Sequence, residues 1–414
     1  MVPAAYRELL AIRRARLPVV ASLVGRLPLA SEGLAILFLA RAVTGSFADA
    51  GLVEAFALVG VGVGVPIQGR LVDHMGQPRV LLPAATINAA SLGVLVIVAQ
   101  GDPSVAMLAF LSALSGLTIP PISSCMRSLW AAMLDDAEAL QSAYALDAVI
   151  IEVAFITGPL LAAGLTAAVS ASAAVLASAI LTLVGTVAFA ASAASREWRP
   201  LVGPRHWAGA LRSRGIWVLI AASAGFGFSS GALVLALTAF GGRHGSPEVV
   251  GPFLSIQAVA SMIGGIWYGA RRWRLPTEEQ YPRFNLVLAL GLAPLILVPS
   301  VAVMGGLMVI AGLAIAPATA IEYLLVDRIA PPGTSTEAFG WVITAAVLGS
   351  GLGAALTGSI VNAGDVGLGF VVAFGGAGFA WIASVLGRPV LRLAAEPPEP
   401  AGPTGTPVRP RRIG

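Results

Sequence analysis

Twelve apolar stretches, each about 20 residues long and divided by short polar joints, run from residue 18 to residue 387 of this chain. A helix of that length covers the roughly 30 Å hydrocarbon core of a bilayer. A chain in lipid must also satisfy its own backbone, which leaves few architectures open to it. The stretches are residues 18–40, 49–68, 81–100, 104–126, 141–165, 172–193, 215–240, 249–269, 284–303, 306–326, 339–361 and 367–387. Around Met304-Gly305-Gly306 one kinked segment would serve in place of two. Only 11% of the residues are charged and the mean hydropathy is +0.87, against about 25% charged in an ordinary soluble domain. A water-soluble surface cannot be built from so few charges. The 48 glycines and runs such as Ala171-Ser172-Ala173-Ala174 let backbones approach closely in lipid. The expected fold class is an all-α integral membrane protein of twelve transmembrane helices.

The chain has no lysine, and its arginines set an expected orientation. With the N-terminus inside, all but three of the 25 basic residues fall on the inner side, leaving Arg41 and Arg243 outside and Arg26 within a span. That bias follows the positive-inside rule, so both termini are expected in the cytoplasm, with the chain in the cell (inner or plasma) membrane. The sequence pI of about 9.8 then reports topology, and no basic domain offers itself to a nucleic acid. Arg13, Arg14 and Arg16 precede an apolar run as in a signal peptide, but that run is long and leads into further spans, so it reads as a retained first helix. The single cysteine, Cys125, excludes an intramolecular disulfide and a multi-cysteine metal site; it reads as a small buried apolar residue.

No joint is long enough for a soluble domain. The longest, 194–214, carries Arg196, Arg199, Arg205, Arg212 and Arg214. It divides the chain into an N-terminal segment (1–17), a six-helix bundle (18–193), the loop itself, a second six-helix bundle (215–388) and a tail (389–414) whose Pro, Gly and Arg content predicts disorder. At an offset of 200 residues Gly25 meets Gly225, Gly45 meets Gly245, Ser46 meets Ser246, Gly51 meets Gly251, Gly64 meets Gly264 and Gly69 meets Gly269. Coincidences at equivalent helix ends favour two parallel repeats with a substrate site between them near the midplane.

Between the second and third spans stands Gly69-Arg70-Leu71-Val72-Asp73-His74-Met75-Gly76-Gln77-Pro78-Arg79. Gly69 and Gly76 permit tight turns and close helix approach, and Asp73 at a helix end can accept from unpaired N–H groups or pair with an arginine. Gly69, Leu71, Asp73 and Gly76, at offsets 0, 2, 4 and 7, resemble the signature loop of the major facilitator superfamily of secondary transporters. The resemblance covers about residues 18–388. It implies two six-helix bundles, alternating access, and a cytoplasmic gate latched by the motif's acid, with Gly69, Asp73, Gly76, Arg79 and Arg127 as its candidates here. His74, Gln77 and Pro78 stand where basic residues are usual, leaving Arg79 as the nearby fixed charge. The second-half counterpart, Gly269-Ala270-Arg271-Arg272-Trp273-Arg274, lacks the acid and reads as a topogenic basic loop. Thr334-Ser335-Thr336-Glu337 has the spacing of a capping box; the simpler reading is a helix start, the other a helix N-terminus presented to Asp73. Gly158-Pro159 resembles the core of the motif associated with antiporters in the superfamily, with Ala162 and Ala163 in place of a glycine pair; Pro159 would equally kink a helix.

Ionisable residues within spans are costly and normally face a partner or a wet cavity. They are Arg26, Glu32, Glu54, Asp147, Glu152 and Glu322, the proton-coupling or substrate-binding candidates. Arg127 and Asp327 lie near span ends. Depth at about 1.5 Å per residue brings Arg26 level with Asp147 and Glu152, so Arg26 is expected to pair with one of them, as a structural or a functional ion pair. Glu32 and Glu54 are expected to line an outward vestibule, Glu54 alternatively snorkelling to the interface. Glu322 is expected either to pair with Arg328 or to touch substrate. His74, His206 and His244 all fall in joints, which leaves proton transfer to carboxylates. Phe226 and Phe228 could supply apolar surface to a substrate or simply pack, while Trp267, Tyr268 and Trp341 suit an interfacial belt.

The sequence thus reads as a secondary active transporter, not an enzyme: no nucleophile with its base, no metal-ligand spacing and no phosphate-binding loop occurs at membrane depth. The favoured activity is proton-coupled efflux of a small amphiphilic or cationic organic compound. The alternatives are a proton symporter or uniporter for a sugar or other metabolite, or a non-transporting receptor on the same fold. No cofactor is expected; the expected partners are the small-molecule substrate, protons and the lipid bilayer, with the chain a monomer.

Overall fold

The helices begin and end where the sequence supplies caps and breakers. The computed structural model describes residues 4–101, 103–199, 208–243, 250–297, 300–362 and 365–395. A short helix α1 (Ala4–Ala11) precedes the first crossing, α2 (Arg13–Thr44). The second, α3 (Phe47–Met75), starts at Ser46, whose hydroxyl accepts from the Asp49 N–H at 3.2 Å. It hands over to α4 (Gln77–Val98) through one residue, Gly76, at φ +88°, a backbone that side chains with a Cβ rarely adopt. The fourth crossing is two helices, α5 (Val105–Thr118) and α6 (Ile122–Met133), parted at Ile119-Pro120-Pro121, because proline removes a donor and drives the preceding residue out of helical geometry. Next come α7 (Ala137–Ala168), which runs through Pro159 without interruption, and α8 (Ala171–Ala191).

The expected central loop holds a one-turn helix α9 (Ala193–Glu197) and a 3₁₀ turn at Gly209–Arg212; Arg205 and His206 lie outside the described residues. The second set comprises α10 (Arg214–Arg243), α11 (Val250–Gly269), α12 (Thr277–Leu292) prolonged by a 3₁₀ turn (Ala293–Leu297), α13 (Val301–Gly312), α14 (Ile315–Ile329), α15 (Ser335–Asn362) and α16 (Val366–Ala395). Among the described residues 11 crossings are long and apolar enough to span a bilayer, with α5–α6 and α13–α14 each counted once. The ninth of the expected twelve is occupied by α12 and its 3₁₀ extension. The joint expected at Met304-Gly305 falls earlier, since both residues lie inside α13: glycine is tolerated within a membrane helix, whereas Pro299 punctuates the sequence just ahead of it. The last helix continues past 388 to Ala395, and 396–414 lie outside the described residues. His74 sits in the last turn of α3 rather than in a joint.

Packing gathers α2–α8 against one another and α10–α16 against one another. The 200-residue glycine repeat coincides with equivalent helix contacts in the two sets. Gly25 of α2 abuts Gly185 of α8, and Gly225 of α10 abuts Gly376 and Ala380 of α16. Gly64 of α3 lies against the backbone of Leu117, and Gly264 of α11 against that of Leu313, at the break between α13 and α14. The fourth and tenth crossings are thus broken at corresponding places, and each break receives a glycine-bearing neighbour. Gly51 and Gly251 have no atom within 4 Å of where a Cβ would stand, so that match carries no packing reason.

Between the two sets, α3 crosses α15 and α7 packs on α11 and α14. At the first crossing a Cβ on Gly69 would stand 2.7 Å from the Thr336 carbonyl oxygen, and one on Gly340 would stand 3.0 Å from the Pro66 Cα. The first is closer than real Cβ contacts come and the second closer than most, so the two glycines let the halves meet backbone to backbone.

Candidate functional site

The halves are held together at the end of the bundle where α3 stops and α15 starts, called here the motif end. Asp73, 3% exposed, sits in the last turn of α3 and accepts from the Thr336 N–H at 3.2 Å through Oδ1 and from the Glu337 N–H at 2.8 Å through Oδ2. These are the unpaired donors of the first turn of α15. The Thr334 hydroxyl, which a capping box would turn toward them, donates instead to the Pro331 carbonyl at 2.8 Å. Asp73 therefore caps, across the interface, a helix that does not cap itself, and its negative charge lies at the positive end of the helix dipole. Beside it, the Ser128 and Thr336 hydroxyls hydrogen-bond at 2.9 Å.

One layer deeper lies a charged cluster. Arg26 of α2 donates through Nη2 to Asp147 Oδ1 at 2.6 Å, and Arg127 of α6 donates through Nε to Asp147 Oδ2 at 2.9 Å; all three side chains are 0–1% exposed. Of the two acids level with Arg26, Asp147 is the one in contact. Arg127, which hydropathy leaves at a span end, is fully buried, because α6 continues as a packed helix to Met133. Its Nη2 donates to the Tyr323 hydroxyl of α14 at 2.5 Å, and its guanidinium lies 3.6 Å from the centre of the Tyr323 ring. Tyr144, Tyr323 and Phe339 form an edge-to-face trio with centroids 6.0–6.3 Å apart around it, and the Tyr144 hydroxyl donates to the Arg127 carbonyl at 3.5 Å. The cation–π and aromatic terms together fasten a first-half arginine to the second half.

On the other interhalf face the donors and acceptors reverse roles. The Ser142 hydroxyl of α7 donates to the Gly269 carbonyl at 2.6 Å, and Gln141 donates to the carbonyls of Tyr268 and Arg271 at 3.2 and 2.9 Å, satisfying the free carbonyls at the end of α11. From α1 the Tyr6 hydroxyl donates to the Gly265 carbonyl at 3.1 Å, and burial pushes this phenol's pKa above its ordinary value. Arg272 pairs with Glu138 at 2.8 Å, but both are well exposed, so the pair contributes little. Arg79 is exposed at the start of α4.

A sequence model of the Major Facilitator Superfamily matches residues 29–354. The chain belongs to this superfamily. Among solved structures, a bacterial homologue of the iron transporter ferroportin in an outward-facing state is similar over 93% of this chain and 100% of its own, with 17% identity and a TM-score of 0.72. The same homologue soaked with iron gives 16%, with equal coverage and a TM-score of 0.71. The human organic anion transporter MFSD10 (TETRAN) is similar over 92% of this chain and 100% of its own, with 16% identity and a TM-score of 0.62. No curated protein matches the sequence. At these identities the structural likeness establishes the fold, that of a membrane-embedded facilitator transporter.

Deeper still, this facilitator carries carboxyls whose partners are neutral. Glu152 of α7 accepts from the Ser261 hydroxyl of α11 at 2.7 Å, and the Ser261 oxygen accepts the Ala316 N–H of α14 at 3.0 Å. Glu322 of α14 accepts from the Tyr281 hydroxyl at 3.0 Å and from the Ser223 hydroxyl. Arg328, one of the two alternatives expected for Glu322, is exposed two turns further along α14. Glu54 is half-buried against Gly33 and has no hydrogen bond among the described residues. Glu32 is 5% exposed and receives the Asn88 amide at 3.3 Å; it faces α4 inside the first bundle, not an open vestibule. Height along a helix is legible in a sequence, but the direction a side chain takes around the axis is not.

The remaining candidates pack. Phe226 lies against the Leu288, Ala314 and Ala318 cluster and Phe228 against Gly376; two positions apart on a helix, they diverge by about 200° and share no face. Gly158 lets α7 approach Leu27 and Ala30 of α2. Tyr268 is fully buried and stacked on Trp273 with centroids 5.2 Å apart, so it leaves the expected aromatic belt, whereas Trp267 stays 48% exposed. The residues that sequence reasoning passed over, Tyr144, Tyr323, Tyr281, Ser223 and Ser261, are neutral. Their available signal is a tyrosine close to an intramembrane acid: Tyr144 three residues before Asp147, and Tyr323 directly after Glu322.

Proposed function

We propose that this facilitator exports a small amphiphilic, cationic organic compound in exchange for protons, by alternating access across the cell membrane with its motif end in the cytoplasm. The observation that carries the reading is the set Glu54, Glu152 and Glu322: three partly exposed carboxyls at membrane depth, served by hydroxyls or by nothing among the described residues. A carboxyl so placed either holds a proton or receives a cation, and exchanging one for the other is the elementary step of proton/cation antiport. Glu152 has the further property of bridging the halves through Ser261, so its charge state bears on their separation. The orientation is supported by Arg79, Arg271, Arg272 and Arg328, exposed at the motif end, against Arg41 and Arg243 near the opposite ends of α2 and α10.

The named cargoes of the structural neighbours are iron and organic anions. An organic cargo is favoured over a metal because among the described residues no three His, Cys, Asp or Glu side chains converge as metal ligands. The latched motif end fits an outward-facing state, the state named for the ferroportin homologue. The test is a proton gradient in proteoliposomes read by a pH-sensitive dye, with lipophilic cations, neutral drugs and sugars added in turn. Collapse by cations, lost in Glu152→Gln and Glu322→Gln, is the expected result; cation flux with a rate independent of pH refutes proton coupling.

A further inference from the structure

The charged cluster at the motif end is unbalanced. Arg26 and Arg127 share one carboxylate, Asp147, whose two oxygens are each taken once. Arg26 Nε and Nη1 and Arg127 Nη1 are buried with no acceptor among the described residues. Guanidinium donors removed from water without an acceptor are expensive to maintain, so the arrangement invites one more oxygen or anion. Among the described residues, the only second-half oxygen bonded to the cluster is the neutral Tyr323 hydroxyl, which accepts from Arg127 Nη2. Glu322, next to Tyr323 in the chain, is held by Ser223 and Tyr281.

All three charged members belong to the first half, on α2, α6 and α7, whereas Tyr323, Phe339 and Glu322 belong to α14 and α15. When the motif end parts, the second half takes away its phenol, its aromatic cover and its carboxyl. What remains on the first half is a preformed pair of guanidiniums around one aspartate, with one positive charge in excess and a further donor, Arg127 Nη2, set free. Fork-shaped donors of this kind match carboxylates in particular.

The geometry points to Arg26 and Arg127 as a binding site for a small monovalent anion, presented when the motif end opens and occupied in the closed state by the Tyr323 hydroxyl acting as a built-in competitor. The anion is either the carboxylate end of the transported compound, which would make that compound zwitterionic, or a free inorganic anion such as chloride. This inference rests on the alternating-access part of the function proposed above and adds a recognition element to it. Asp73 holds the motif end closed through the Thr336 and Glu337 N–H groups, so weakening it exposes the site more often.

The test uses the full-length protein in lipid nanodiscs, titrated calorimetrically with sodium benzoate or sodium chloride at one pH and one ionic strength, with tetraphenylphosphonium as a cation control. Benzoate should bind the unaltered protein, bind about tenfold tighter in Tyr323→Phe, where the competing oxygen is gone but the ring stays, and be lost in Arg26→Gln while tetraphenylphosphonium still binds. Asp73→Asn should tighten it as well. Benzoate without chloride identifies an organic carboxylate, and equal binding of both identifies a site open to inorganic anions. Should neither anion bind Tyr323→Phe, or should benzoate bind Arg26→Gln as it binds the unaltered protein, the site does not exist. Because no proton gradient enters this measurement, failure of proton-coupled export and failure of the anion site are read separately.

Discussion

Replacing Asp73 by alanine should unlatch the motif end by an amount the structure allows to be worked out. The side chain accepts two N–H groups of α15 at 3.2 and 2.8 Å while 3% exposed. Removing an ordinary helix cap costs about 0.5–2 kcal/mol. A charged, buried acceptor stands at the upper end of that range, since charge-assisted bonds are roughly twice as strong as neutral ones. On opening, water satisfies both partners, so only the net difference counts, about 2 kcal/mol in favour of the closed state. At about 1.4 kcal/mol per decade, its loss raises the ratio of open to closed molecules roughly 30-fold. Spin labels at Met75→Cys, at the end of α3, and Pro332→Cys, before α15, both at exposed positions, report the separation of the halves by pulsed electron resonance. The native Cys125 is buried and should stay unlabelled. Asp73→Asn keeps a neutral acceptor and should fall between the two. A distance distribution unchanged within about twofold in Asp73→Ala would mean that the α15 cap contributes nothing to the latch.

Two further expectations follow from the packing. Gly64→Val and Gly264→Val should each lower the thermal unfolding midpoint through a loss of about 1–3 kcal/mol, because the added side chain meets the Leu117 or Leu313 backbone; Gly51→Ala and Gly251→Ala should stay within about 0.5 kcal/mol of the unaltered protein, and equal effects across all four would deny the repeat a packing role. Tyr6→Phe removes the hydroxyl that joins α1 to the Gly265 and Ile266 carbonyls, so the same spin-label distances should show about fivefold more open molecules for a bond of about 1 kcal/mol; no shift would mean that α1 only rides on the first half.

What the sequence discloses and withholds can be traced to particular residues. The crossings are legible because lipid imposes length and hydropathy on them, and the offset of 200 residues is legible because close approach demands glycine at Gly25, Gly64 and their counterparts. The turn at Gly76 is legible from spacing alone. Arg127 is not, because a hydropathy scan ends where apolar residues end, near residue 126, while α6 runs on to Met133 against a second half that the scan cannot see. Arg26 and Asp147 share a height and so can be paired on paper, whereas Glu32 shares its height with a supposed vestibule yet points toward Asn88. Tyr323 and Ser261 escape because a neutral side chain in an apolar span leaves no mark on charge or hydropathy. The stretch Thr334 to Glu337 allows either a self-capped helix start or one presented to Asp73, and the direction of the Thr334 hydroxyl, toward Pro331, separates the two.

The two interhalf faces also explain why the second-half loop, Gly269 to Arg274, can do without an acid. If the repeats were strictly equivalent, a residue four positions after Gly269 would cap the start of α7 as Asp73, four positions after Gly69, caps α15. That position holds Trp273. The start of α7, however, is already capped in its own chain segment: Asp136 accepts the Ala139 N–H at 2.8 Å. With that donor satisfied, an acid after Gly269 would find less to bond, and the α7–α11 face uses Ser142 and Gln141 to hold carbonyls instead. At α15 the corresponding Thr334 hydroxyl is turned to Pro331, leaving the helix start open to the other half. A self-capped helix gains nothing from its neighbour's approach, whereas a helix left uncapped makes the approach itself stabilising. The two faces are therefore held differently: at α3 and α15 a buried carboxylate caps the other half's helix beside Arg127 and Tyr323, whereas the α7–α11 face is held by hydrogen bonds to helix-end carbonyls and by the Glu152–Ser261 contact.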